Sequence, residues 1–337
     1  MAMAPQVICL GEALVDRLGP LGADPGAATI DQVDDRLGGA PANVACGLAR
    51  LGTPSAFVGR LGPDAIAERF MGLMADRGVA LSALQRDASR PSRIVLVRRD
   101  ASGERSFGGF AGDRGEGFAD QALDADALQT SLPPLLQRAR WLQIGTIPLA
   151  SPSSTAALTA AVQMAAGADV PLALDVNWRP TFWDPDAASD AAPPPQAKLV
   201  MRPLLERAAL IKLAAEEAQW LFGCCDPAVV RSALPQKPAV VITDGEAQLA
   251  WCFGSSSGVM PAYRVPVVDT TGAGDAFLAG LLHQLCRTPQ LMQAGWAEVV
   301  RFASACGALV CGGAGAIDPQ PTHAQVEAFL AERLGRG

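Results

Sequence analysis

The sequence predicts an α/β fold: a mainly parallel central sheet with helices on both faces, and a small β-sheet laid over one end as a lid. Three observations predict it. From Trp141 onward, short apolar runs ending near polar or glycine residues alternate with helical stretches, the rhythm of βαβ units. Two earlier segments, about 12–37 and 92–112, interrupt that rhythm with β-like patterning. The small-residue turn Asp269-Thr270-Thr271-Gly272-Ala273-Gly274-Asp275 joins an apolar run to an apolar helix.

Each element has its own signal. Residues 7–10 read as the first buried strand, and 43–51 as an alanine-rich helix closed by Gly52. Residues 56–59 read as a second strand, and 65–77 as a helix stopped by Gly78. Residues 93–99 alternate as a strand does; 100–103 turn the chain and 104–107 return it, a hairpin signal. Further strands are expected at 141–144, 172–175, 210–212 and 239–243, with helices at 153–166, 199–208 and 215–222. Residues 265–268 read as one more strand and 276–285 as the helix after the turn, with the acid Asp275 opening it. Residues 184–195, rich in Asp, Ala and Pro, read as an exposed loop. Nothing resembles a linker, so one domain is expected over 1–337, with the lid segments inserted in it.

Composition narrows the function. Hydrophobic residues make up 50%, enough for a large core. Net charge is −7 and no Lys/Arg block occurs, so neither nucleic acid nor an anionic membrane is expected as a partner. Lys198, Lys212 and Lys237 are the only lysines. The 8 cysteines include no Cys-x-x-Cys, and most lie in apolar runs, as reduced thiols of a cytoplasmic protein do. The two histidines, His283 and His323, are too few for a His-rich zinc site. No apolar run is long enough to span a membrane.

The 269–275 turn carries the sharpest chemistry. A glycine turn opening a helix aims several N–H groups at one point, where the helix dipole also favours negative charge. That holds a phosphoryl group, and the Asp275 carboxylate beside it can take a proton from a hydroxyl. No Gly-Lys-Ser/Thr follows, so this is not a P-loop, and Phe277 replaces the third glycine of a dinucleotide fingerprint.

Other runs fall at strand ends, where such sheets bind ligands. Gly38 and Gly39 let backbone approach a ligand, and Asn43 both donates to and accepts from hydroxyls. Asp16 can fix a polyol. Arg179 can sit on developing phosphate charge. Of Glu216 and Glu217, one can hold a water on Mg²⁺. Thr243 and Gly245 fit a nucleotide wall, and 311–316 can pass close to a purine. Alone, each run also fits a plain structural role: a cap, a turn, a solvated acid, an ion-paired arginine.

Together they resemble the ribokinase-like (PfkB) sugar kinases along nearly the whole chain. Gly38-Gly39-x-x-x-Asn43-x-Ala45 through Leu51-Gly52 is similar to the family's N-terminal signature, and Asp269 to Asp275 to its C-terminal one. The resemblance implies a three-layer ribokinase-like sandwich and ATP-dependent phosphorylation of a hydroxymethyl group. Asp275 would be the base, with an anion hole of N–H groups from Gly272, Ala273, Gly274 and Asp275. Thr243, Gly245 and residues from Ser304 to Gly315 would bind ATP. Asp269 and Thr271 lie where some members bind K⁺. Gly11-Glu12-x-Leu14-x-Asp16, Asp175-x-Asn177-x-Arg179-x-x-x-Trp183 and Gly103-Glu104-Arg105-x-Phe107 look most like fructokinases. Asp16, Gly39 and Asn43 would then hold fructose, with Arg105 reaching from the lid and Arg179 near the phosphoryl path. Ribose, 2-keto-3-deoxygluconate or a nucleoside are the alternative acceptors, and a sugar-binding homologue without turnover the alternative class. Ala214 stands where many members have Asn or Ser, and Gly313-Ala314 replaces a more polar stretch. A homodimer through the lid edge is expected.

Overall fold

The computed structural model describes residues 4–100, 105–287 and 295–334. Six parallel strands form most of the main sheet: β1 (Val7–Leu10), β4 (Ser55–Val58), β9 (Trp141–Ile144), β10 (Leu172–Asp175), β11 (Leu210–Ala214) and β12 (Ala239–Asp244). The antiparallel strands β13 (Gln248–Phe253) and β14 (Ser256–Pro261) extend it at one edge, giving the order β14-β13-β12-β11-β10-β9-β1-β4. Strands buried on both faces read as continuous apolar runs, and β1 is VICL throughout, with all four residues buried.

The faces carry separate cores. Val7 and Cys9 pack toward α1 (Ala40–Leu51), α2 (Ala65–Asp76), α10 (Ala273–Arg287), α11 (Trp296–Val310) and α12 (His323–Leu334). Ile8 and Leu10 point the other way, toward α3 (Ala125–Ser131), α4 (Pro133–Leu136), α5 (Pro152–Gly167), α7 (Pro195–Leu205), α8 (Ala215–Phe222) and α9 (Pro227–Ser232). The short α6 (Pro180–Trp183) follows β10 at the sheet's C-terminal end. The result is a three-layer sandwich. Enclosed rings such as Phe70, fully buried, are typically worth about 3–5 kcal/mol against alanine.

A second sheet has the order β3-β2-β7-β8, from β2 (Leu14–Leu21), β3 (Asp34–Gly38), β7 (Ile94–Arg99) and β8 (Arg105–Ala111). Its strands come from the two segments that interrupt the α/β rhythm, and β7 and β8 pair antiparallel as the hairpin signal predicts. The turn residues 101–103 lie outside the described residues. A two-stranded pairing of β5 (Arg60–Leu61) with β6 (Gln85–Arg86) completes the strands.

Several sequence expectations change, among them the helix expected at 199–208, which runs Pro195–Leu205. Residues 265–268 form no strand: Pro266 lacks an N–H, Val268 donates its own to the Cys311 carbonyl at 2.8 Å, and Val267 and Val268 are exposed. The helix after the turn begins at Ala273, so Asp275 is its third residue rather than the one that opens it. Helix α1 begins at Ala40, because Gly39 at φ 101° caps it and Pro41 pre-sets its first turn. The β13–β14 hairpin, turned by Gly254 at φ 62°, was not anticipated. All eight cysteines are free thiols.

Candidate active site

The two signature runs, over 200 residues apart, meet through helix packing. Gly47 of α1 lets Ala279 of α10 approach to 2.9 Å from where a Cβ would stand. This brings Asn43 Nδ2 to donate to Asp275 Oδ2 at 2.8 Å. Asn43 Oδ1 is buried with no partner among the described residues. A buried unpaired acceptor is costly, and a ligand hydroxyl would satisfy it. The Asp275 side chain keeps part of its surface open, yet the surrounding protein desolvates it. That desolvation, then the charge of Asp175, raises its pKa to about 6; Asn43, Lys212 and Arg179 pull the other way.

The turn ahead of Asp275 admits only small residues. Gly272 has φ 78°, and a Cβ there would meet the Ala316 methyl at 2.5 Å. Ala273 donates its N–H to the Thr270 carbonyl at 3.2 Å, closing the turn. The N–H groups at the start of α10 have no acceptor within the helix, and those of Gly274 and Asp275 belong to that set.

Beneath the turn lies a charged floor. Lys212 Nζ, buried, donates to both Asp175 oxygens at 2.9 and 2.8 Å. The same ammonium lies 3.1 Å from where a Gly274 Cβ would stand. Coulombic attraction to Asp175 raises its pKa against the desolvation that opposes it. Glu217, buried at the start of α8, accepts from Trp178 N at 2.6 Å and Ala214 N at 2.8 Å. Burial, then the Asp175 charge, raises its pKa. Asp175, Glu217 and Asp275 gather around Lys212, with Arg179 also acting on Asp275, so three carboxylates face two cations and a divalent cation would offset the negative charge. Both Glu217 oxygens already accept N–H groups, so the fit is to a hydrated Mg²⁺ held through water, not to direct ligation. Among the described residues no group of three His, Cys, Asp or Glu is placed to hold a metal by itself.

The expected sugar residues Asp16, Gly38 and Gly39 come from β2 and from the passage of β3 into α1. Gly38 is buried and leaves room for the Asp16 carboxylate, which comes within 3.0 Å of where a Cβ would be; at Gly39 the Glu12 carbonyl lies 2.6 Å from that point. Asp16, Arg36, Asp269, Thr271, Gly315 and Ala316 line one cavity of about 130 Å³. Arg179 is exposed, donates to the Trp178 carbonyl at 3.0 Å, and acts on Asp275 electrostatically. Arg105 starts β8 opposite Arg99, but its side chain lies outside the described residues. Potassium at Asp269 and Thr271 fits poorly: Asp269 Oδ1 accepts from Thr271 N and Oγ1 at 3.0 and 2.6 Å, and Oδ2 from Gly315 N and Arg36 Nη1 at 2.9 and 3.2 Å.

The pfkB family carbohydrate kinase profile matches residues 4–323. The chain belongs to that family. It is 32% identical over 326 residues to fructokinase-1 of Zea mays, covering 95% of this chain and 96% of the relative. It is 31% identical over 336 residues to a fructokinase of Escherichia coli, covering 96% and 99%. A Vibrio cholerae O395 fructokinase solved in fructose, ADP and calcium ion bound form superposes with TM-score 0.79 at 27% identity, over 97% of this chain and 99% of that one.

Of the residues expected to bind ATP in this carbohydrate kinase, Thr243 is the penultimate residue of β12 and half-buried, with Oγ1 3.4 Å from the Leu213 carbonyl. Gly245 turns at φ 49° into β13. Ser304 is buried inside α11, and Gly315 reaches Asp269 through its N–H. Sequence reasoning missed three further residues. Lys212 had a signal: a lysine inside the apolar strand LIKLA must be paired. Glu12 accepts from Ala40 N at 3.0 Å, and burial raises its pKa to about 8. Arg93 pairs with Asp120 at 2.8 Å and lies over the rings of Phe110, Phe118 and Phe182, tying lid strand β8 to α6 beside Arg179. Nothing in the local sequence marks Arg93.

Proposed function

We propose that this chain is an ATP-dependent fructokinase, converting D-fructose and ATP to D-fructose 6-phosphate and ADP. The observation that carries the reading is the Asn43–Asp275 pair, with its unpartnered Asn43 Oδ1 and a carboxylate titrating near 6. In this reading Asn43 orients the sugar, with Asp16, Gly38, Gly39 and Arg105. Asp275 takes the proton of the 6-hydroxyl as its oxygen bonds to the γ-phosphorus and the bond to the ADP oxygen breaks. A loose transition state demands little of the base, and a pKa near 6 leaves it ionised at pH 7. The N–H groups of Gly272, Ala273, Gly274 and Asp275 receive phosphoryl charge, although Ala273 already donates within the turn. Arg179 adds positive charge from the open side.

ATP lies along Thr243, Gly245, Ser304 and Gly315 in this proposal. Mg²⁺, held through water by Glu217, would neutralise phosphate charge. Full-length similarity to fructokinases supports fructose as acceptor, and the fructose, ADP and calcium in the Vibrio cholerae relative support a sugar, a nucleotide and a metal ion together. The proposal includes a cytoplasmic location, in keeping with eight free thiols. It also includes a homodimer through the lid, whose edge strands are β3 and β8.

The test is ADP release from purified protein with Mg-ATP over fructose, glucose, ribose, 2-keto-3-deoxygluconate and adenosine. Fructose is expected to give the highest kcat/KM. A clear preference for another acceptor would overturn the fructose assignment, and silence on all would remove the catalytic reading.

A further inference from the structure

Family resemblance places a potassium ion beside Asp269, and the residues of this chain disagree. At least four donors converge on the Asp269 carboxylate, two or more on each oxygen, and one is a guanidinium. A carboxylate has about four acceptor positions, so these donors use its capacity. Arg36 belongs to lid strand β3, far from Asp269 in sequence. Its Nε and Nη2 grip Asp34 while Nη1 donates to Asp269, whose side chain is 3% exposed. Gly315 makes the approach possible: at φ 81° it carries no side chain, and a Cβ there would crowd Arg36 Cδ at 3.3 Å. Asp269 in turn holds Thr271 by backbone and hydroxyl, immediately before Gly272. A charge on Asp269 therefore sets the turn that forms the anion hole.

We propose that the Arg36 guanidinium is a built-in monovalent cation for this site, so that the kinase needs no potassium. A buried carboxylate requires a compensating charge. Here a covalently attached cation supplies it, delivered by the lid. Because Arg36 bridges Asp34 and Asp269, the same contact ties lid strand β3 to the anion-hole turn. The inference rests on the kinase reading above, and its test includes a measurement that does not.

The full chain and two variants, Arg36→Met and Arg36→Lys, are compared in potassium chloride and tetramethylammonium chloride at equal ionic strength. Two quantities are read: kcat/KM with fructose and Mg-ATP, and melting temperature without substrates. The wild type is expected to differ by less than about twofold in rate between the salts, with no potassium-specific rise in melting temperature, since an ion that binds the native state raises it. Arg36→Met is expected to lose about tenfold or more in tetramethylammonium and to regain rate and melting temperature in potassium. Arg36→Lys, which keeps the charge, is expected to remain indifferent to potassium. A wild type that potassium activates strongly, or melts higher specifically in potassium, overturns the inference. So does an Arg36→Met protein that matches the wild type in both salts. If no sugar is phosphorylated, the kinase reading fails while the melting data still decide the potassium question; if Arg36→Met does not fold, the wild type and Arg36→Lys decide it.

Discussion

The floor of the site and the lid above it are built on opposite plans. On the floor, Asp175, Lys212 and Glu217 are each less than a tenth exposed and are locked by short bonds to one another or to backbone N–H groups. The lid carries its charges nearer to solvent, in the pairs Arg17–Asp35 and Arg36–Asp34, and its strand register slips between Leu18 and Leu21 and between Leu96 and Val97. Desolvation dominates the floor: it raises the pKa of Asp275, Glu217 and Glu12. The lid arginines Arg17 and Arg36 shift mainly through their hydrogen-bonded acids. The difference teaches a division of labour. A fixed, dry floor is suited to transition-state charge, whereas a partly solvated sheet is suited to choosing and enclosing a sugar.

Changes on the floor should therefore alter kcat, and changes on the lid should alter KM. The largest effect is expected from Asp275→Asn, a loss of about 10²–10⁴ in kcat with little change in sugar KM. Stability should move the other way. A carboxylate whose folded pKa is raised binds its proton more tightly when folded, so it costs stability as pH rises through that pKa. Melting curves should show Asp275→Asn more stable than wild type at pH 8 and nearly equal to it at pH 4. A smaller effect is expected from Asp16→Ala on the lid: an increase of about tenfold in fructose KM with kcat largely kept. Steady-state kinetics on both proteins would break the comparison if the pattern reversed, with Asp275→Asn raising KM alone or Asp16→Ala abolishing kcat.

Much of this was legible in the residues. The apolar strands 7–10, 141–144 and 172–175 appear at their expected bounds, because strands covered on both faces leave a run that has no other use. The 269–275 turn was readable because a phosphate cradle needs glycines at fixed places, and Gly272 shows why: its φ is positive, and the Ala316 methyl stands 2.5 Å from where a Cβ would lie, closer than van der Waals contact allows. Residues 265–268 misled, since valine-rich runs also serve as loop walls when proline removes a donor and no strand lies alongside. Arg36 and Arg93 were illegible for another reason. Their partners, Asp269 and Asp120, come from elements far along the chain, and no local pattern encodes such a meeting. Glu12 hid in the same way: its role depends on burial against Ala40, a tertiary fact.

The central claim is that Asp275 is a desolvated base poised near neutrality, and the pH dependence of kcat/KM for fructose tests it most directly. Titration near 6 should make kcat/KM rise with pH below that value and level off above it, with a limiting slope of about tenfold per pH unit. Asp275→Asn should lose that limb along with its rate. A wild-type profile flat from pH 5 to 8, or the same limb persisting in Asp275→Asn, would contradict the account.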